Sequence, residues 1–242
     1  MKQLIGRSAL YALGLGVVLF VSVASAPAQS KRSKDAERHS RDASKVFNEI
    51  MAVPDKAIPK ELLDKAEAIA VFPGVVKAAF IVGGRGGQGV ISRRTANGWD
   101  APAFFNLGGG SFGAQIGAQK TDYVLLIMNE EGLRGLLEDK FEIGAEASIA
   151  AGPVGRQAGA STNATLDAGI LSYSRSKGAF IGASIQGAVI SPDNDLNEAV
   201  YNGKKARDIL DTGSGMTLRN MPAAVRIFPQ TLARYSGRRA SK

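Results

Sequence analysis

Gly84, Gly86 and Gly89 in the stretch "VGGRGGQGV", residues 82–90, have the G-x-G-x-x-G spacing that cradles a dinucleotide pyrophosphate. That chemistry needs a helix directly after the glycines, because its free N–H groups hold the phosphates, and an acidic residue about 20 positions on to hold the ribose. The next residues are "VISRR", a β-branched run, and residues 101–110 read "APAFFNLGGG" without a carboxylate. The spacing recurs at Gly108, Gly110 and Gly113, as chance allows in a chain with 29 glycines. The stretch reads instead as two strands, "AAFIVGG" and "GVISRR", joined by a glycine hairpin at Arg85–Gly87.

Other chemistry has little material. His39 is the only histidine and sits in a polar leader, so neither a Ser-His-Asp triad nor a histidine metal site can be built in the core. No G-K-[ST] follows a glycine loop, and no cysteine exists to form a disulfide or hold a metal. Glu142 with Glu146, and Glu130 with Glu131, are the carboxylate pairs; the first falls on the outward face of an alternating run, where charge is ordinary. Trp99 with Phe104 and Phe105 reads as core. The pattern predicts a protein that is not an enzyme and holds no cofactor or metal.

Lys77, Arg85, Arg93 and Arg94 form the densest basic group near the glycine hairpin, and Lys120 joins them if the neighbouring strand pairs. Cations beside exposed glycine N–H groups suit a phosphate headgroup; they also suit an edge strand that must resist aggregation.

The elements that must position these residues emerge from periodicity. Met1, Lys2 and Arg7, then the apolar "SALYALGLGVVLFVSVA" and "APA", have the layout of a secretory signal peptide cleaved after Ala28, implying a periplasmic or secreted protein. Residues 29–41 read as a basic polar linker. Ala43, Val46, Phe47, Ile50 and Met51 then make the stripe of an amphipathic helix, which either docks on the core or faces a membrane. A second helix starts at Pro59. From Lys77 the period changes to two, with Ile143, Ala145, Ala147 and Ile149 alternating, and with glycines inside the strands at Gly113, Gly117, Gly144, Gly169 and Gly182. Helices are expected at 130–139 and 196–210. The fold class is α+β: a curved, mainly antiparallel sheet or partly closed barrel with N-terminal and C-terminal helices packed on it.

The net charge of +8 lies at the ends. Residues 29–45 carry +3 and residues 226–242 carry +5, whereas 46–225 carry 17 basic and 19 acidic groups. This argues against nucleic acid as a partner of the folded part, and it suits tails that settle on an anionic leaflet. The tail from 213 to 242 is basic and rich in Gly and Arg, with disorder expected from about Ser236.

The runs "IPKELLDKAEAIAVFPGVVKAAFIVGGRGGQGVISRR" and "GWDAPAFFNLGGGSFGAQIGAQKTDYVLLIMN" closely resemble the SYLF lipid-binding domain family, from about Asp42 to about Leu210. The domain is accordingly placed at 42–212. The resemblance implies an envelope protein that binds anionic phospholipid, phosphoinositide-like in the family, by headgroup contact; the basic hairpin, with the amphipathic helix as an optional second contact, is this sequence's own candidate from charge and periodicity. The resemblance also implies structural glycines. Some family members regulate actin through attached domains, and bacterial relatives often carry a lipidated cysteine; neither an actin role nor, with no cysteine after the signal layout, a lipid anchor is expected for this sequence. The second reading is a periplasmic scaffold or stress-related module that binds another envelope protein through its sheet edge.

Overall fold

The computed structural model describes residues 26–55, 57–155, 168–176, 179–182, 185–211 and 215–237. The expected signal peptide therefore falls almost wholly outside the described residues. Among these, no helix is long and apolar enough to cross a membrane.

The first element is a helix, α1 (Ala26–Met51). It includes residues 29–41, expected as a linker, and the reason is a row of small residues: Ala36, Ser40, Ala43 and Ser44 are all buried. They extend the apolar stripe backward without looking apolar, and let the helix axis approach the sheet closely. A short helix, α2 (Lys60–Lys65), starts after Pro59 as its fixed φ predicts.

Two strands then dominate. β1 (Ala68–Thr95) and β3 (Ala103–Ile127) pair antiparallel from Ala68↔Ile127 to Ile91↔Ala103. The turn between them includes Asn97 and Gly98, the latter at φ +116, and a two-residue strand, β2 (Gly98–Trp99), closes back on Arg94 and Thr95. The hairpin expected at Arg85–Gly87 is thus corrected. β1 runs through those glycines without turning back on itself as a hairpin, and the real turn carries the Asn-Gly signal ten residues later.

The remaining strands are β4 (Phe141–Glu142), β5 (Ile149–Ala151), β6 (Ile170–Ser176), β7 (Ala179–Gly182) and β8 (Val189–Pro192). Among the described residues, these and β1–β3 make an eight-stranded sheet in the order β2-β1-β3-β6-β5, with β8 also on β3, β4 on β8 and β7 on β6. All these pairings are antiparallel except β5 with β6. The sheet curls into a half-barrel with helices at both ends of the chain, in agreement with the expected α+β class. The alternating run expected over 143–149 is interrupted: Gly144, at φ +92, starts a turn between β4 and β5.

The helix expected at 130–139 is α3 (Glu130–Leu136), capped by the Asn129 side chain. The one expected at 196–210 divides into α4 (Asn194–Val200) and α5 (Ala206–Leu210), because Asn202 and Gly203 take positive φ between them. The last element, α6 (Ile227–Tyr235), buries Phe228 and Leu232 and packs on α1, so this part of the expected tail belongs to the fold.

Candidate functional site

The two-stranded ribbon is bent double. At its start, Phe72 pairs with Tyr123 and Val75 with Thr121, so Pro73 and Gly74 form a bulge in β1. Gly74 sits at φ +58 and donates its N–H to Asp122 Oδ1 at 2.7 Å, and Arg175 of β6 holds the other carboxylate oxygen at 2.7 Å while also pairing with Glu49 of α1. The chain leaves the core at this clamp and returns across it. A Cβ on Gly87 would lie 2.8 Å from Val75 Cγ2, and one on Gly89 would run into the Val71 carbonyl and lie 2.5 Å from the Phe72 ring. Only glycine lets β1 pass this close to its own beginning.

Between departure and return, residues 76–86 of β1 and their partners on β3 stand out as a two-stranded arch. β3 pairs with β8 over Phe105–Gly108 and with β6 over Asp122–Ile127, and among the described residues no strand covers the edge between. The middle of the arch is uncharged in sequence: residues 78–84 read "AAFIVGG" and 107–119 read "LGGGSFGAQIGAQ". Its charges stand at the foot. Lys77 and Lys120 are both exposed, in register with Gln119 and Val76 respectively and therefore on opposite faces of the ribbon, and Arg85 lies opposite Gly109. The Arg85 Nε is buried and has no hydrogen-bond partner among the described residues.

The five candidate cations therefore divide. Lys77, Arg85 and Lys120 share the arch. Arg93 and Arg94 do not, and their assignment to headgroup binding is corrected: they are 9% and 3% exposed. Arg93 donates to the Leu210 carbonyl at 3.0 Å and pairs with Glu130. Arg94 donates to the carbonyls of Ala66, Leu63 and Gly237 at 3.0, 2.6 and 2.8 Å and to Ser236 Oγ at 2.7 Å, while its guanidinium lies 4.2 Å over the Trp99 ring. Both tie the sheet to distant parts of the chain, a role the fork geometry of arginine suits. Trp99 is core, donating its indole N–H to the Ser236 carbonyl at 2.7 Å.

The membrane-facing role expected for Val46, Phe47, Ile50 and Met51 is corrected as well. Phe47 and Ile50 are fully buried, Val46 nearly so, and Met51 packs against the same cluster. The Phe47 ring meets Tyr235 of α6 edge-on at 5.7 Å. The stripe docks on the core, the other of the two roles its periodicity allows.

Below the arch lies a groove that sequence reasoning missed. A cavity of about 610 Å³ opens between α1, which contributes Arg38, His39 and Asp42, and the ribbon crossing, which contributes Gly74, Val76 and Gly86–Gln88. Asn106 and Leu107 of β3 complete it. A second depression of about 370 Å³ shares Arg38, His39 and Gln88 and runs on toward Asp193 and Asp195 at α4. His39 is only 9% exposed and lies 6.3 Å from the Phe104 ring. Burial, and then the Arg38 guanidinium, hold its imidazole below the ordinary 6.5 against the pull of Asp35, Asp42 and Asp193. The signal that could have found it is the spacing of Ala36, His39, Ser40 and Ala43, which continues the stripe of α1.

The fold is thus a curled α+β half-barrel with a long glycine-rich ribbon. Residues 108–235 match the family described as "Ysc84: Las17-binding protein actin regulator", and the chain belongs to this Ysc84/SYLF family. It is 35% identical over 151 residues to Protein YSC84 of Saccharomyces cerevisiae, covering 61% of this chain and 32% of that protein. It is 31% identical over 169 residues to SH3 domain-containing YSC84-like protein 1 of Xenopus laevis, covering 67% and 50%. LAS seventeen-binding protein 3 of Saccharomyces cerevisiae is 31% identical over 178 residues, covering 72% and 38%. The chain thus spans a third to a half of the length of these relatives.

Proposed function

We propose that this protein is a non-enzymatic module of the cell envelope that binds anionic phospholipid through its arch, the uncharged ribbon entering the interfacial layer while Lys77, Arg85 and Lys120 meet phosphates. One observation carries this reading: the middle of a long two-stranded arch is uncharged and three cations stand at its foot. Basic groups near an anionic leaflet contribute about 1 kcal/mol each. The N-terminal layout of a signal peptide supports placement in the periplasm or outside the cell. The exposed face of α1, with Lys31, Arg32, Lys34, Arg41 and Lys45, adds to the attraction.

The test is vesicle co-sedimentation of the protein and of a Lys77→Gln/Arg85→Gln/Lys120→Gln variant, at low and near-physiological salt. Loss of three contacts predicts roughly 100-fold weaker binding to anionic vesicles at low salt and a shallower salt dependence. Unchanged binding in the variant removes the arch from the account. A second reading, a scaffold with a protein partner, draws on the relatives, which include Las17-binding and SH3 domain-containing proteins. It predicts a discrete complex on pull-down and no vesicle affinity.

A further inference from the structure

The groove under the arch has features that a generic anionic surface does not use. Its wall on α1 carries one cation and one anion four residues apart, Arg38 and Asp42, on one helix face. Arg38 engages Asp35 through one Nη at 2.8 Å, which leaves its other N–H donors available. Asp42 accepts no hydrogen bond and makes no ion pair among the described residues. Between them the buried imidazole of His39 likewise makes no hydrogen bond among the described residues, and it forms part of the lining of both depressions. On the facing wall Gln88 and Asn106 are cross-strand partners and offer amide donors and acceptors.

Charge decides what this groove takes. With the imidazole neutral, the larger cavity is lined by one positive and one negative group, and the smaller by Lys31, Arg32 and Arg38 against Asp35, Asp193 and Asp195. A plain anion gains from Arg38 what it loses to Asp42. A ligand carrying both signs satisfies both walls.

We propose that this groove holds the headgroup of a zwitterionic phospholipid that ends in a primary ammonium, the phosphodiester on Arg38 and the ammonium on Asp42. The placement rests on the proposed seating of the arch in a membrane surface: Val76 and Gly86 belong both to the arch foot and to the groove lining, so an arch seated in the interface brings the groove to headgroup depth. His39 forms the floor, accepting from the ammonium or donating to a phosphate oxygen through its two ring nitrogens. A quaternary ammonium has the same charge but no N–H to give Asp42, and its methyl groups take up the space. The groove therefore discriminates ethanolamine from choline headgroups.

Two measurements test this. Vesicles with a fixed fraction of phosphatidylglycerol are completed with either phosphatidylethanolamine or phosphatidylcholine. The expected result is at least threefold tighter binding to the ethanolamine vesicles, with the preference lost in Asp42→Asn and the dependence on phosphatidylglycerol retained. Because the chain has one histidine, its imidazole NMR signals are unambiguous. Soluble glycerophosphoethanolamine is expected to shift them saturably, whereas glycerophosphocholine at the same concentration leaves them in place. Equal affinity for both vesicle types, a preference that survives in Asp42→Asn, or equal response to both soluble headgroups overturns the groove assignment. If neither vesicle binds, the surface reading fails, and the soluble titration still decides whether the groove takes this headgroup.

Discussion

Gly87 and Gly89 show how much a residue's meaning depends on what lies across from it. In the sequence they belong to a nucleotide-like spacing, and the lack of a helix directly after it is enough to set that aside. Their actual role, letting β1 cross its own start, is not legible locally, because Val71, Phe72 and Val75 are brought there by a bend at Pro73 and Gly74. The structure makes the difference between neighbouring glycines measurable. Gly89→Ala drives a Cβ into the Val71 carbonyl, whereas at Gly86 nothing lies within 4 Å. Gly89→Ala is expected to lose about 2–3 kcal/mol in urea unfolding, and Gly86→Ala to stay within about 1 kcal/mol of the parent. Equal effects at the two positions would mean that the crossing is not held as described.

Among the elements, α1 is half legible. Its second half announces itself through Val46, Phe47 and Ile50; its first half hides the same face in Ala36, Ser40 and Ala43, which carry little hydrophobic signal. The groove is hidden with it, since a polar leader that precedes the core leaves His39 no cavity to line. The C-terminal helix α6 reads as tail because charge and glycine surround it, although Phe228 and Leu232 already fall at helical spacing. Burial of such side chains is worth about 1.5–3 kcal/mol each. A chain ending at Val225 also loses the Ser236 carbonyl that accepts from Trp99 and the Tyr235 hydroxyl that donates to Asn48. Such a chain is expected to show red-shifted Trp99 emission and a broad unfolding transition. A sharp transition with native emission would show that α6 is dispensable.

For the whole molecule, the α+β half-barrel with helices at both ends is readable because period-two patterning and strand glycines survive averaging over the chain. The pairing that closes it is not, since register depends on contacts far apart in sequence. The pH dependence of stability is a property of the same whole. The unfolded chain binds a proton at His39 near 6.5, and the folded protein refuses it until lower pH, so stability falls as pH drops below 6.5. Asp100 acts with the opposite sign: burial raises its carboxyl above 3.8, so stability declines as pH rises through the carboxylate range. Thermal melts are expected to show Tm decreasing from pH 7 toward 5 in the parent, with His39→Gln flat over this window. A parent that is also flat would place His39 in water.

The contact between α1 and α6 has a further consequence in time. Tyr235 reaches Asn48 across 187 positions of the chain. A β-hairpin zips within about 10 µs once both strands exist, whereas the roughly hundred residues after β3 take on the order of ten seconds to synthesise. Throughout that interval the face of α1 that carries Phe47 waits for its cover. Arrival of α6, more than the pairing of the long strands, is then the event that covers this face of α1.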